Sequence, residues 1–132
     1  MIIDGKKEAE ILSQEIKKEI SLLKEKTKKV PSLSVILVGN YAPSEIYVKN
    51  KLKKSKEVGI NSSIIRYPND VSEKEVLKKI IELNEDSKVS GILVQLPLPK
   101  QINKEKIINL IHPSKDVDGF HPINVGNLAS GY

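Results

Sequence analysis

Six consecutive residues, Leu33-Ser34-Val35-Ile36-Leu37-Val38, run almost without a polar break. A strand with one wet face alternates apolar and polar side chains. An unbroken apolar run instead fits a strand covered on both faces, as in a parallel sheet flanked by helices. Two later runs repeat the theme, Ser63-Ile64-Ile65-Arg66-Tyr67 and Val89-Ser90-Gly91-Ile92-Leu93-Val94. Stretches of helical period separate them. After a short entry, Met1 to Asp4, the residues Ala9, Leu12, Ile16, Ile20 and Leu23 place one apolar stripe on a charged helix from Lys6 to about Lys28. Asp4 is suited to cap its start, and Pro31 bars its continuation.

A second helix follows Gly39-Asn40, takes Pro43 into its first turn and runs to about Glu57, with Gly59 as its terminating residue. The third follows Asp70 to Ser72. Ser72 and Glu75 have capping-box spacing, and Val76, Leu77, Ile80, Ile81 and Leu83 form the expected buried face. Asn103 to Ile111 is a short fourth helix, and from His112 onward the residues read as turns without strong periodicity. Alternation of this kind predicts a three-layer α/β/α domain with a mainly parallel sheet, spanning residues 1–132 as one unit. Ligands of such sheets sit beyond the carboxyl ends of the strands.

Composition narrows the function. There is no cysteine, hence no disulfide framework and no thiolate metal site, which fits a reducing cytoplasm. Asp4 and Glu8 interrupt any signal-peptide pattern, and no run of about 18 apolar residues exists to span a membrane. The net charge is +5, yet the lysines alternate with glutamates along the helices, as on solvated faces. With four Tyr and one Phe, the chain also lacks the aromatics that stack on single strands, so nucleic acid is not the expected partner. A mild positive field suits an anionic small molecule.

Five positions can carry chemistry at the strand ends. Tyr47 and Lys51 are four residues apart and share a helical face just after the first strand. A phenol beside an amine can stack on and contact a flat, partly charged ligand, although a packed ring and a solvated lysine are the ordinary fates of these residues. A lysine that moves protons near neutral pH needs its pKa lowered by about 2–3 units from the usual 10.4. Gln95 follows the third strand and precedes Leu96-Pro97-Leu98-Pro99, whose prolines stiffen the loop. Its amide can donate to a substrate and accept from an ammonium, or simply bond to the turn. Asp116 and Asp118 flank Val117, so that one can face a site while the other holds the loop. A carboxylate there can take a ring N–H and an exocyclic amine, the edge of a pterin-like heterocycle.

Other readings of these motifs fail. The Asp-x-Asp-Gly string lacks the remaining ligands of a calcium loop. His112 and His121 lack metal-ligand spacing and read as structural. No G-x-G-x-x-G, G-x-x-x-x-G-K-[ST] or G-x-S-x-G occurs. Short-chain dehydrogenases also use Tyr-x-x-x-Lys, but their glycine-rich turn does not precede the pair here.

Taken together, Val38-Gly39 with Ser44-x-x-Tyr47-Val48-x-x-Lys51, then Gly91 to Pro99, then His112-Pro113-x-Lys115-Asp116-Val117-Asp118-Gly119-Phe120-His121-Pro122-x-Asn124-Val125-Gly126 resemble one family. It is the N-terminal catalytic domain of the bifunctional methylenetetrahydrofolate dehydrogenase/methenyltetrahydrofolate cyclohydrolase, with the resemblance running from Ile3 to the last residues. The resemblance implies a cytoplasmic, homodimeric enzyme of one-carbon metabolism serving purine biosynthesis. It implies NADP-linked oxidation of 5,10-methylenetetrahydrofolate and hydrolysis of the methenyl product to 10-formyltetrahydrofolate. Lys51 would be the central catalytic residue, Tyr47 would stack on the folate, Gln95 would tune Lys51, and Asp118 would bind the pterin. Pro97 would line the substrate site, and Ser44 would shape the turn beside it. Asn40-Tyr41-Ala42-Pro43 departs from the family's more usual Asp-x-Pro-Ala. The family's following Rossmann NAD(P)-binding domain is not in these 132 residues. The expectation is therefore a truncated catalytic domain without a coenzyme site, either active in hydrolysis or reduced to a folate-binding or interaction module.

Overall fold

Strand β1 (Ser32–Val38) is the centre of the sheet, and its buried run Ser34 to Val38 explains why. In the computed structural model, which describes residues 4–132, it pairs in parallel with β2 (Asn61–Tyr67) on one side and β3 (Gly91–Val94) on the other. Of the expected entry segment, Met1 to Ile3 lie outside the described residues. Period-two alternation sends the β1 side chains to opposite faces. Ile36 and Val38 join a core with Ile92, Val94, Val76, Ile80 and Ile107, while Val35 and Leu37 join a smaller one with Val48 and Leu93. β2 begins two residues before its apolar pattern does, and β3 begins two residues after its own. Backbone pairing to β1, rather than side-chain type, sets both limits.

The helices cover both faces as expected. α1 (Gly5–Thr27) leads into β1, α2 (Ala42–Val58) connects β1 to β2, and α3 (Glu73–Glu85) connects β2 to β3. From β1 the chain moves to one neighbour, then crosses back to the other. Crossovers of constant hand therefore place α2 and α3 on opposite faces. The reversal leaves a crevice between the carboxyl ends of β1 and β3. α4 (Lys104–Leu110) packs beside α3.

Local chemistry fixes the helix ends. The Asp4 side chain accepts from the N–H groups of Lys6 and Lys7, and Gly59 closes α2 in the left-handed conformation at φ 94°. Ser72 accepts from the Glu75 N–H at 3.3 Å. The Glu75 carboxylate reaches back to the Ser72 hydroxyl at 3.0 Å, instead of to the backbone N–H of the standard capping box. Ser72→Ala is expected to cost about 1 kcal/mol, read as a lower urea midpoint with an unchanged slope.

The α1 stripe packs on α2 without burying any residue fully, and Leu12 stays 56% exposed. Two expectations need correction. In α3, Val76, Ile80 and Leu83 are buried, but Ile81 is turned toward α4 and exposed. The second correction is at the C-terminal end. A 3-10 turn at Pro113–Lys115 and a helix, α5 (Pro122–Ser130), occupy the stretch expected to be loop. His121 starts α5 by accepting the Ile123 N–H on Nδ1, with Pro122 in the first turn. No helix of the described residues is long and apolar enough to cross a membrane.

Candidate active site

Beyond the carboxyl ends of β1 and β3 the structure brings Lys51, Gln95 and Asp118 together. Pro43 in the first turn of α2 starts that helix four residues after β1 ends. Lys51 thereby lies one turn beyond Tyr47, over the carboxyl edge of the sheet. The Gln95 N–H donates to the Ile36 carbonyl at 2.9 Å, which extends the β1–β3 ladder by one bond and fixes where the Gln95 loop begins. The Gln95 side-chain amide then splits its bonding. Its Nε2 donates to the Leu96 carbonyl at 2.8 Å, leaving Oε1 to accept from Lys51 Nζ at 3.5 Å. The bond to the turn and the contact with the lysine thus occur together, since the turn bond aims the other end of the amide at Lys51.

Ser44 is buried and donates to that same Leu96 carbonyl at 3.3 Å, tying the start of α2 to the loop. The next peptide bond, Leu96–Pro97, is cis. The Tyr47 ring is 62% exposed, so it is not a packed core aromatic but an open face beside Lys51.

Asp118 Oδ1 approaches Lys51 Nζ to 3.9 Å from the far side, with side-chain exposures of 28% and 38%. A half-exposed pair at that distance is worth about 0–1 kcal/mol to the fold, so stability does not explain its presence. Burial pushes the Asp118 carboxyl above the ordinary aspartate value, the Lys51 ammonium pulls it down and the Asp116 carboxylate pushes it up again. An apolar recess with Ile92, Ile107 and Phe120 supplies the burial.

Asp116 does hold the loop while Asp118 faces the site. Residues two apart in a straight strand share a face, and the two carboxylates separate because the chain bends at Val117 and Asp118. Burial alone would raise the Asp116 carboxyl as well. Hydrogen bonds from the His121 N–H, the Asn124 amide and the Phe120 and Gly119 N–H groups outweigh it and hold the group below its ordinary value.

The opposite signs give a pH prediction. Asp116, with its folded pKa depressed, contributes stability that is present above the unfolded value of about 3.9 and lost as pH falls through the folded one. Asp118 is the reverse, since protonation relieves the cost of a buried carboxylate as pH falls through its raised value. In a carboxyl-carbon NMR titration Asp118 is expected to protonate first, at a pH where the 115–121 loop remains intact. The opposite order would contradict the two environments.

His112 and His121 each accept a backbone N–H on Nδ1 at the start of a helical turn, a structural use for both. Two supports escaped the sequence reading. Lys115 Nζ donates to the carbonyls of Leu83, Asn84 and Asp86 at 2.8–2.9 Å, capping the end of α3. Its position in a loop, away from the alternating helix charges, was the available signal. Gly91 is the second, because a Cβ there would lie 2.5 Å from Val117 Cγ1. A cavity of about 660 Å³ between Leu23, Val30, Ser32 and Lys88 lies at the opposite, amino-terminal edge of the strands and takes in none of these groups.

Known proteins resemble this chain over most of its length. The family described as "Tetrahydrofolate dehydrogenase/cyclohydrolase, catalytic domain" matches residues 3–118. The bifunctional protein FolD of Pelagibacter ubique is 59% identical over 132 residues, covering all of this chain and 47% of that protein. The crystal structure of the FolD methylenetetrahydrofolate dehydrogenase/cyclohydrolase from Campylobacter jejuni superposes with a TM-score of 0.93 at 46% identity, over 97% of this chain and 45% of that one. The Trypanosoma brucei enzyme, solved with NADP cofactor and inhibitor, gives a TM-score of 0.92 at 35% identity over 97% of this chain and 43% of that one. The chain thus spans a little under half the length of these relatives. On the family match and these likenesses together, this chain belongs to the tetrahydrofolate dehydrogenase/cyclohydrolase catalytic-domain family.

Proposed function

We propose that this chain binds tetrahydrofolate derivatives at the carboxyl edge of its sheet and supplies the catalytic lysine for their one-carbon chemistry. The proposed reactions are oxidation of 5,10-methylenetetrahydrofolate with NADP and hydrolysis of 5,10-methenyltetrahydrofolate to 10-formyltetrahydrofolate. The observation that carries the reading is Lys51 Nζ set between the Gln95 amide oxygen and the Asp118 carboxylate, one helical turn from the open ring of Tyr47.

Each residue has a role in this reading. Tyr47 offers a ring face to the folate's flat rings. Asp118 takes the donors of the pterin edge in charge-assisted bonds. Pro97 lines the site from the stiff loop after Gln95. In the hydrolysis, water adds to the methenyl carbon and gives up a proton. The added hydroxyl then loses its own proton to become the formyl carbonyl as the bond from that carbon to N5 breaks and N5 gains a proton, so that one of the water's two protons ends on N5 and the other is released. Lys51 as the free amine takes the proton from the water and as the ammonium gives it to N5, while Gln95 Oε1 accepts one of its N–H groups and holds it in place.

NADP as the hydride acceptor rests on the family and on the cofactor of the Trypanosoma brucei relative. The turns after β1, β2 and β3 contain a single glycine, Gly39, and so offer no glycine-rich phosphate cradle among the described residues. No hydride step is therefore assigned to these side chains. A homodimeric assembly and a cytoplasmic location belong to the same proposal. Nucleic acid does not, since surface lysines such as Lys54, Lys79 and Lys106 are paired with Glu57, Glu82 and Glu73.

The test is loss of 5,10-methenyltetrahydrofolate absorbance in the presence of the chain, in a buffer where spontaneous hydrolysis is slow, beside an equilibrium titration with the same compound. Turnover with saturation is expected. Saturable binding without turnover would reduce the chain to a folate-binding module, and the absence of both would refute the proposal.

A further inference from the structure

We propose that Asp116 is a positioning residue that fixes Asp118 opposite Lys51, with Asn124 of α5 as its second anchor; the functional side of this rests on the reading of Asp118 given above. Asp116 pairs with the sheet in a parallel bridge to Ile92 of β3. Gly91 makes that approach possible, because any side chain there would strike Val117. Lys115, immediately before it, is anchored to three carbonyls at the end of α3. The backbone entering the loop is therefore fixed on two sides.

The backbone leaving the loop is held by the Asp116 carboxylate. Its Oδ1 accepts from the Gly119 N–H at 3.1 Å, and its Oδ2 accepts from the His121 N–H at 2.8 Å and from Asn124 Nδ2 at 3.0 Å. Asn124 Nδ2 also donates to the Pro113 carbonyl at 2.9 Å, which joins the two ends of the loop. Asp118 sits between these clamped ends, next to Gly119 in its left-handed turn at φ 68°. Its separation of 3.9 Å from Lys51 exceeds a hydrogen bond and contributes little to holding it there. The position of the Asp118 carboxylate is thus set by its own backbone, and that backbone is set by Asp116.

The test compares Asp116→Asn and Asn124→Ala with the unaltered chain by two readouts. Backbone amide exchange needs no ligand. Asp116→Asn keeps the side-chain size but removes the charge and one accepting oxygen, so the Gly119 and His121 amides are expected to exchange markedly faster while those of β1 and β3 keep their rates. In hydrolysis of 5,10-methenyltetrahydrofolate, the KM of Asp116→Asn is expected to rise about 10- to 100-fold, the range for removing a group that orients a ligand-contacting side chain, with kcat changed far less. Asn124→Ala deletes one donor and leaves two. It carries the same readouts with smaller shifts and serves if Asp116→Asn does not fold. Unchanged exchange at Gly119 and His121, an unchanged KM, or a loss of protection spread evenly over the sheet overturns the proposal. An unaltered chain that neither binds nor hydrolyses the compound refutes the functional reading instead, and the exchange rates then decide the positioning by themselves.

Discussion

Lys51→Met is expected to lower the rate of 5,10-methenyltetrahydrofolate hydrolysis about 100- to 10,000-fold, the usual contribution of a positioned proton-transfer group. Methionine keeps the unbranched stem and much of the length of lysine and loses only the group that moves a proton. The fold should not notice. Lys51 is 38% exposed, its contact with Asp118 is long, and its bond to Gln95 is at the 3.5 Å limit. Urea unfolding is expected to stay within about 0.5 kcal/mol of the unaltered chain, as for surface changes away from packed features. The variant also tests the electrostatic linkage in the site. With the ammonium gone, nothing offsets the burial and the Asp116 charge that raise the Asp118 carboxyl, so Asp118 should titrate at a still higher pH. A variant that hydrolyses within a few-fold of the unaltered rate would remove Lys51 from the chemistry. An unmoved Asp118 titration would show that the two groups do not face each other in solution.

How much of this was legible beforehand follows from how local each cause is. The parallel sheet was readable because residues 34–38 of β1 are buried on both faces, and only a flanked sheet buries such a run. Tyr47 and Lys51 were readable as a pair because helical spacing alone makes them neighbours. Gln95 and Asp118 needed more, since they come from loops 44 and 67 residues downstream of Lys51. Only the rule that ligands gather at the carboxyl edge, with the family resemblance, linked them. The misses have separate causes. α5 starts on a His cap and Pro122, and its apolar residues Ile123, Val125 and Leu128 stay exposed, so there was no buried stripe to generate a period. The α1 stripe had a strong period, yet no residue of it is fully buried, because periodicity shows which face is apolar and not how completely that face is covered. Lys115 donates to backbone carbonyls 29 to 32 residues away in sequence, and carbonyls leave no mark in a sequence.

Asp118→Asn is expected to raise the KM for 5,10-methenyltetrahydrofolate about 100- to 1,000-fold, equivalent to about 3–4 kcal/mol of binding. A carboxylate facing a ring N–H and an adjacent amine accepts twice, and bonds to a charged group are worth about 1.5–3 kcal/mol each. The asparagine amide keeps one acceptor and turns a donor toward one of the ligand's donors, so one bond is replaced by a repulsive contact. The stability effect should have the opposite sign. Burial raises the Asp118 carboxyl, so the folded chain holds this charge at a cost, and the neutral amide should leave the urea midpoint unchanged or slightly higher. Loss of affinity with preserved or increased stability is what separates a binding residue from a structural one. Asp116→Asn differs in a way that can be measured, because there the depressed carboxyl contributes to the fold and its loss should lower the midpoint. If Asp118→Asn lowers stability and leaves KM alone, Asp118 belongs with Asp116 as a loop anchor, and the pterin edge must be recognised elsewhere along the crevice.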